Sequence, residues 1–136
     1  MAAGYSKKSL IDKLGIKEGN RIAILNPPEN YSATLGPFPK DVVATKTLQS
    51  CTDFIHFFTK QKRDLESNFA KLKRALAHDG MLWISWPKGA SKLATDLNEN
   101  TVREIGLMHG LVDIKVCAVD EIWSGLKFVY RIKDRK

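Results

Sequence analysis

Apolar positions along this chain fall into two kinds of run. Ile22-Ala23-Ile24-Leu25, Phe54-Ile55-His56-Phe57-Phe58 and Met81-Leu82-Trp83-Ile84-Ser85-Trp86 are short and almost unbroken. A strand covered on both faces reads this way, and such strands belong to parallel sheets. They predict strands over 21–25, 53–58 and 81–86. The first is ended by Asn26-Pro27-Pro28 and the last by Pro87, since proline cannot donate to a ladder. Val42-Val43-Ala44 gives a weaker strand over 41–45, and residues 111–119 give another. Residues 126–132 alternate instead. Leu126, Phe128, Tyr130 and Ile132 share one face, with Lys127, Val129 and Arg131 on the other, which suits an antiparallel strand at or near an edge.

The second kind of run has helical spacing. Leu65, Phe69, Leu72 and Leu76 recur at intervals of four, three and four within 60–77 and form one stripe. Lys62, Arg63, Lys71, Lys73 and Arg74 supply most of the polar surface. Asp79-Gly80 turns the chain after it. Asn98 is an N-cap for a helix over 99–109, with Val102 and Ile105 inward and Gly110 just past its end. A short helix over 9–14 stops at Gly15, residues 17–20 make a turn, and 29–35 hold one or two helical turns before Gly36-Pro37-Phe38-Pro39.

Strands therefore alternate with helices until the last two, which follow one another. Alternation calls for parallel crossovers and the final pair for a hairpin. The expected fold is α/β, three-layer and Rossmann-like. Its sheet is mostly parallel with an antiparallel C-terminal strand, its helices cover both faces, and residues 1–136 form one domain. At 136 residues the chain is too short for two ordinary domains. It is long enough to bury roughly two-thirds of its unfolded surface without a disulfide or metal.

Charge adds a basic bias. The formal net charge is +7, concentrated in 1–21, 58–78 and 127–136, while the remainder is net acidic. This favours contact with anions in general, or serves solubility alone. Cys51 and Cys117 are far apart and read as reduced, partly buried thiols. No secretory apolar region follows Met1-Ala2-Ala3-Gly4-Tyr5-Ser6-Lys7-Lys8. No run approaches the roughly 20 apolar residues that cross a bilayer. The expectation is a cytoplasmic protein without membrane contact.

Three stretches carry a resemblance. Gly15-Ile16-Lys17-Glu18-Gly19-Asn20-Arg21-Ile22-Ala23-Ile24-Leu25 looks like the lead-in and first strand of class I S-adenosylmethionine-dependent methyltransferases. Leu76-Ala77-His78-Asp79-Gly80-Met81-Leu82-Trp83-Ile84 looks like their helix, turn and strand in the second half, and residues 111–132 like their closing hairpin. Trp83-Ile84-Ser85-Trp86-Pro87-Lys88 and Val116-Cys117-Ala118-Val119-Asp120-Glu121-Ile122-Trp123-Ser124 are also similar to a family of small bacterial proteins of unknown function, a likeness that implies kinship rather than chemistry. The departures matter more. In such methyltransferases a glycine-rich loop after the first strand lets the backbone approach the cofactor, and an acid after the second strand holds the ribose, much as in dinucleotide folds. Here the loop is Asn26-Pro27-Pro28-Glu29-Asn30, without glycine, and Lys46-Thr47 follow the second strand. Prolines remove two amide donors. The chain is also too short for the helix and third strand that usually complete the cofactor half. The resemblance thus implies an abbreviated, degenerate scaffold, with no conventional cofactor.

Ligands of open α/β sheets collect beyond the carboxyl ends of the strands, where strand order switches. That rule nominates Asn26, Pro27, Pro28, Thr59, Lys60, Trp86, Lys88, Asp120, Glu121 and Trp123. Trp86 beside Lys88 has the chemistry to hold an anionic aromatic ligand. Each also has a plainer role: Asn26-Pro27-Pro28 as a rigid turn, Asp120-Glu121 as a charged turn. Trp83 and Trp86 face opposite sides of their strand, so at least one packs under a helix. Lys88-Gly89-Ala90-Ser91-Lys92 is small and basic but lacks phosphate-loop spacing. His56, His78 and His109 show no metal-ligand spacing, and His56 reads as a satisfied core residue. Ser85 lies in no nucleophile elbow. No catalytic residue and no metal ligand is assigned.

The leading expectation is a non-catalytic binding or regulatory module for an unknown small ligand or protein partner. The rivals are an atypical methyltransferase or other nucleotide-using enzyme, and a nucleic-acid-associated protein acting through Lys62, Arg63, Lys71, Lys73 and Arg74. A homo-oligomer is compatible with the sequence.

Overall fold

A computed structural model describes residues 9–135. Residues 1–8, and Lys136 of the basic tail, lie outside the described residues. Six strands form one sheet in the order β2-β1-β3-β4-β6-β5. They are β1 (Arg21–Leu25), β2 (Val43–Thr45), β3 (Thr52–Phe58), β4 (Leu76–Pro87), β5 (Leu111–Ala118) and β6 (Trp123–Tyr130). The pairs β1–β2, β1–β3 and β3–β4 are parallel, while β6 runs antiparallel to both β4 and β5. Strand order reverses between β1 and β3. There the chain leaves β1 outward to β2 and returns to the other side as β3, so the loops part and open the sheet's carboxyl end.

Two layers of unequal weight cover the sheet. On one face lie α3 (Lys62–Ala75) and α4 (Glu99–Met108). Leu65, Phe69 and Leu72 of α3 are fully buried, as are Val102 of α4 and Ile55, Leu82, Ile84, Leu126 and Phe128 beneath them. Each such side chain contributes about 1.5–3 kcal/mol relative to exposure. On the other face lie the short helices α1 (Leu10–Leu14) and α2 (Tyr31–Leu35). They seal Ile22, Phe54, Phe58 and Trp83. The Trp83 indole donates to the Leu14 carbonyl at 2.8 Å, tying α1 to the sheet. Ser9 caps α1 through its side chain, and Gly15 ends it at φ 92°, a left-handed conformation natural to glycine. Asn98 caps α4 by accepting from the Thr101 amide.

The architecture agrees with the sequence expectation, with local corrections. Helix α3 ends at Ala75 rather than 77. Leu76, placed on the helical stripe by its spacing, is instead the first residue of β4 and is buried there. Asp79-Gly80 makes no separate turn. Thr52 pairs with Leu76 and Phe54 with Met81, so the extra β4 residues swell out of the ladder as a bulge. Pro87 stays within β4, opposite Trp123. Strand β6 begins at Trp123, three positions before the alternation, and Ile132 leaves it for a 3-10 turn, where it is 81% exposed. The edge strands are β2 and β5, and β6, next to β5, lies near an edge as its alternation predicts. Cys117 is buried, but Cys51 is exposed and not partly buried as expected.

Candidate functional site

The switch between β1 and β3 holds a cleft of about 470 Å³. After Leu25 the chain turns at Asn26, whose φ is 56°. Asparagine tolerates this left-handed state better than most other residues bearing a β-carbon, so it makes the turn while keeping a side chain. Pro28 lines the same cleft. From β3, Thr59 continues the ladder by donating its amide to the Ser85 carbonyl at 3.0 Å, and Lys60, Gln61 and Asp64 follow along the start of α3. Asp96 accepts from the Lys62 amide at 2.7 Å and caps this helix, since Gln61 makes no side-chain cap. Thr95 donates to the Lys60 carbonyl at 2.7 Å. These two bonds pin the 89–97 loop beside the cleft.

Trp123 closes the far wall. Asp120 accepts from the amides of Ile122 and Trp123, each at 2.8 Å, and so shapes the β5–β6 turn. The turn presses the Trp123 ring edge-on to Phe58, with centroids 5.3 Å apart. The lining thus combines an ammonium, a carboxylate, amide and hydroxyl groups and an indole.

The structure brings Asn26, Pro28, Thr59, Lys60 and Trp123 together in this cleft. Pro27 lies in a neighbouring cleft of about 400 Å³, between the ends of β1 and β2, with Glu29, Tyr31, Thr45 and Lys46. Trp86 faces the α3–α4 layer, where it is 5% exposed among core side chains, and it is not among the residues lining this cleft. The Lys88 amide donates to the Ile122 carbonyl at 2.7 Å. Neither Lys88, Asp120 nor Glu121 lines the cleft. Gln61 and Asp64 were not singled out by sequence. They follow Lys60 directly into the helix, and the start of that helix is the signal that could have found them.

The basic helix residues are not all free at the surface. Lys73 donates to the His109 carbonyl at 2.7 Å and lies 5.8 Å from the Tyr130 ring centre, so it is a structural cation. Lys62 and Arg63 sit at the start of α3, while Lys71 and Arg74 sit near its end, over a helix of 14 residues spanning ~21 Å.

Below the cleft is a buried polar chain that sequence reading did not assemble. Tyr31 Oη lies 2.8 Å from His56 Nδ1, and His56 Nε2 lies 2.7 Å from Ser85 Oγ. His56 is fully buried and stacks on Phe58. Burial pushes its pKa down to about 3 and raises that of Tyr31. The ring is therefore neutral, with one nitrogen donating and the other accepting. His56 is the satisfied core histidine that sequence suggested. Among the described residues no group of three or more His, Cys, Asp or Glu is placed to hold a metal ion, and no helix is long and apolar enough to cross a membrane.

No protein-family model and no curated protein matches the chain. Solved structures do. A SAM-dependent methyltransferase from Aquifex aeolicus is similar at TM-score 0.62 and 14% identity, over 88% of this chain and 86% of that one. The magnesium protoporphyrin IX methyltransferase of Synechocystis PCC 6803 with bound SAH is similar at TM-score 0.57 and 10% identity, over 90% and 78%. Fibrillarin from Aeropyrum pernix, with natively bound S-adenosyl-L-methionine, gives TM-score 0.59 and 12% identity, over 85% and 69%. The fold is that of the class I S-adenosylmethionine-dependent methyltransferases. At these identities the likeness concerns fold alone.

Proposed function

We propose that this chain uses a methyltransferase-like scaffold as a non-catalytic binding module, with a small anionic ligand seated in the cleft between β1 and β3. One observation carries the reading: Lys60, Thr59, Asn26 and Trp123, from separate stretches of sequence, converge on one cavity at the switch in strand order. Its volume of about 470 Å³ suits a small molecule. Lys60 supplies the charge for an acid group, Asn26 and Thr59 supply hydrogen bonds, and the margin of the Trp123 ring meets a flat apolar part. The loop after β1 supports a non-catalytic role. Pro27 and Pro28 have no amide hydrogens to offer a nucleotide, and Lys46 stands where an acid would hold a ribose.

A second reading, an atypical methyltransferase, draws on the structural relatives that carry bound SAM or SAH and on Glu29, a carboxylate lining the cleft between the ends of β1 and β2. Thermal shift and calorimetry separate the two readings. S-adenosylmethionine, S-adenosylhomocysteine and a panel of small aromatic carboxylates are titrated against the parent, Lys60→Ala and Trp123→Ala. The binding-module reading expects a carboxylate to raise the melting temperature of the parent and of neither variant, because a ligand that prefers the native state stabilises it. Stabilisation by the adenosyl compounds, insensitive to both substitutions, sinks it in favour of the enzyme.

A further inference from the structure

A second cleft lies at the opposite end of the sheet and has no part in the site above. It measures about 650 Å³ and is lined by Ser50, Cys51, Arg74, His78, Asp79 and Arg135 over an apolar floor that includes Leu76. A shallower cleft with Lys71 adjoins it and shares Ser50 and Arg74. Three parts of the chain make the wall. The bulge at the start of β4 carries Ala77, His78 and Asp79 out of the ladder. The β2–β3 connection ends at Cys51, whose φ of 60° is costly for a residue other than glycine. Arg135 arrives from the C-terminal 3-10 turn, steered by its Nε, which donates to the Tyr130 carbonyl at 3.0 Å. That bond leaves the two Nη nitrogens of the guanidinium for another acceptor.

Helix polarity accounts for Arg74, since cations are favoured in a last turn. It does not account for Arg135, which comes from another element, nor for a cavity between them. Two guanidiniums and a hydroxyl around an apolar floor, with Asp79 as the acid among the described lining residues, have the donor chemistry of a phosphate site. We propose that this cleft binds a small phosphorylated molecule, its phosphoryl group held between Arg74 and Arg135 and the remainder resting over Leu76.

Cys51 provides the test, because it is exposed at the cleft while Cys117 is buried. Alkylation of Cys51 by iodoacetamide is followed in the full chain carrying Cys117→Ala. The probes are inorganic phosphate, adenosine 5′-monophosphate and a single-stranded DNA 12-mer, each with ionic strength matched by sodium chloride. At ten times its dissociation constant a ligand that covers the thiol should slow labelling about tenfold by mass action. Phosphate or the mononucleotide is expected to do so. Protection should fall below twofold at the same concentration in Arg74→Gln/Arg135→Gln, and persist in Lys40→Gln/Lys92→Gln, which removes two charges elsewhere. Protection by the monophosphate and not by phosphate marks an ester as the source of the group; protection by both marks the group itself. The proposal is overturned if neither slows labelling at 10 mM, if sodium chloride alone reproduces the effect, or if the arginine variant is protected like the parent. Protection by the 12-mer alone overturns it in favour of a nucleic-acid backbone. None of these outcomes depends on the cleft beside Thr59, which is probed with carboxylates and by other substitutions.

Discussion

Protonation of His56 should make this domain acid-labile well above the pH at which carboxylates usually unfold a protein. The ring is fully buried, and burial lowers its pKa from 6.5 to about 3. In the unfolded chain His56 takes up a proton near pH 6.5; in the folded chain it does not until about pH 3. Its contribution to stability is thus complete above pH 6.5 and is lost as pH falls towards 3. Each pH unit in that window removes about 1.4 kcal/mol. Between pH 6.5 and 4.5 the loss is ~2 kcal/mol, a sizeable share of the roughly 5–15 kcal/mol that stabilises a domain. Urea unfolding, followed by tryptophan fluorescence at pH 6.5, 5.5 and 4.5, measures it. His56→Gln keeps a donor and an acceptor for Tyr31 and Ser85 but has no proton to gain. Its stability should fall less over the same interval, by ~2 kcal/mol, whatever its starting value. Every other group is common to both proteins and cancels in the difference. Parallel losses in parent and variant would refute the reasoning, because they would mean that His56 is protonated equally in both states.

Tyr31→Phe removes the hydroxyl 2.8 Å from His56 Nδ1 and leaves that nitrogen unpaired in a dry core; equilibrium unfolding should show a loss of about 1–3 kcal/mol. Gly106→Ala would place a β-carbon 2.0 Å from Phe128 Cε1. Overpacking of about 1–3 kcal/mol should outweigh the ~1 kcal/mol that alanine gains in a helix, and a Gly106→Ala/Phe128→Leu double variant should recover part of the lost urea midpoint. Asn98→Ala removes the acceptor for the Thr101 amide. It should cost about 1 kcal/mol and speed hydrogen exchange in the first turn of α4.

The strands and the long helices were legible because their burial is written in local periodicity. Unbroken apolar runs at Arg21–Leu25 and Thr52–Phe58 are what a strand covered on both faces requires, and both elements lie where those runs predict. The stripe on α3 misled only at its end. Leu76 fits a helical spacing and a strand equally well, and pairing with Thr52 decided for the strand. The alternation in β6 likewise included Ile132, although the ladder ends at Tyr130. The rule that ligands collect beyond strand ends named five of the residues that meet at the cleft. It also named Trp86, which lies in the α3–α4 core layer; adjacency in sequence to a strand end says nothing about which face a ring takes once its register is set.

Without any structure, the order of apolar and polar residues determined an α/β domain whose parallel strands end in an antiparallel hairpin, with a proline-bearing, glycine-free loop after β1. It also determined that Trp83 and Trp86 must part to opposite faces, which follows from the pleat of a single strand. Tertiary structure alone decided that Trp123 shares a cleft with Lys60, that Tyr31 and Ser85 both satisfy His56, and that Arg135 reaches the cleft beside Cys51 and Arg74. The physical reason is range. Periodicity reports how one element divides between core and solvent, whereas a site forms where loops distant in sequence are brought together by strand order, register and one bulge, none of which leaves a local pattern.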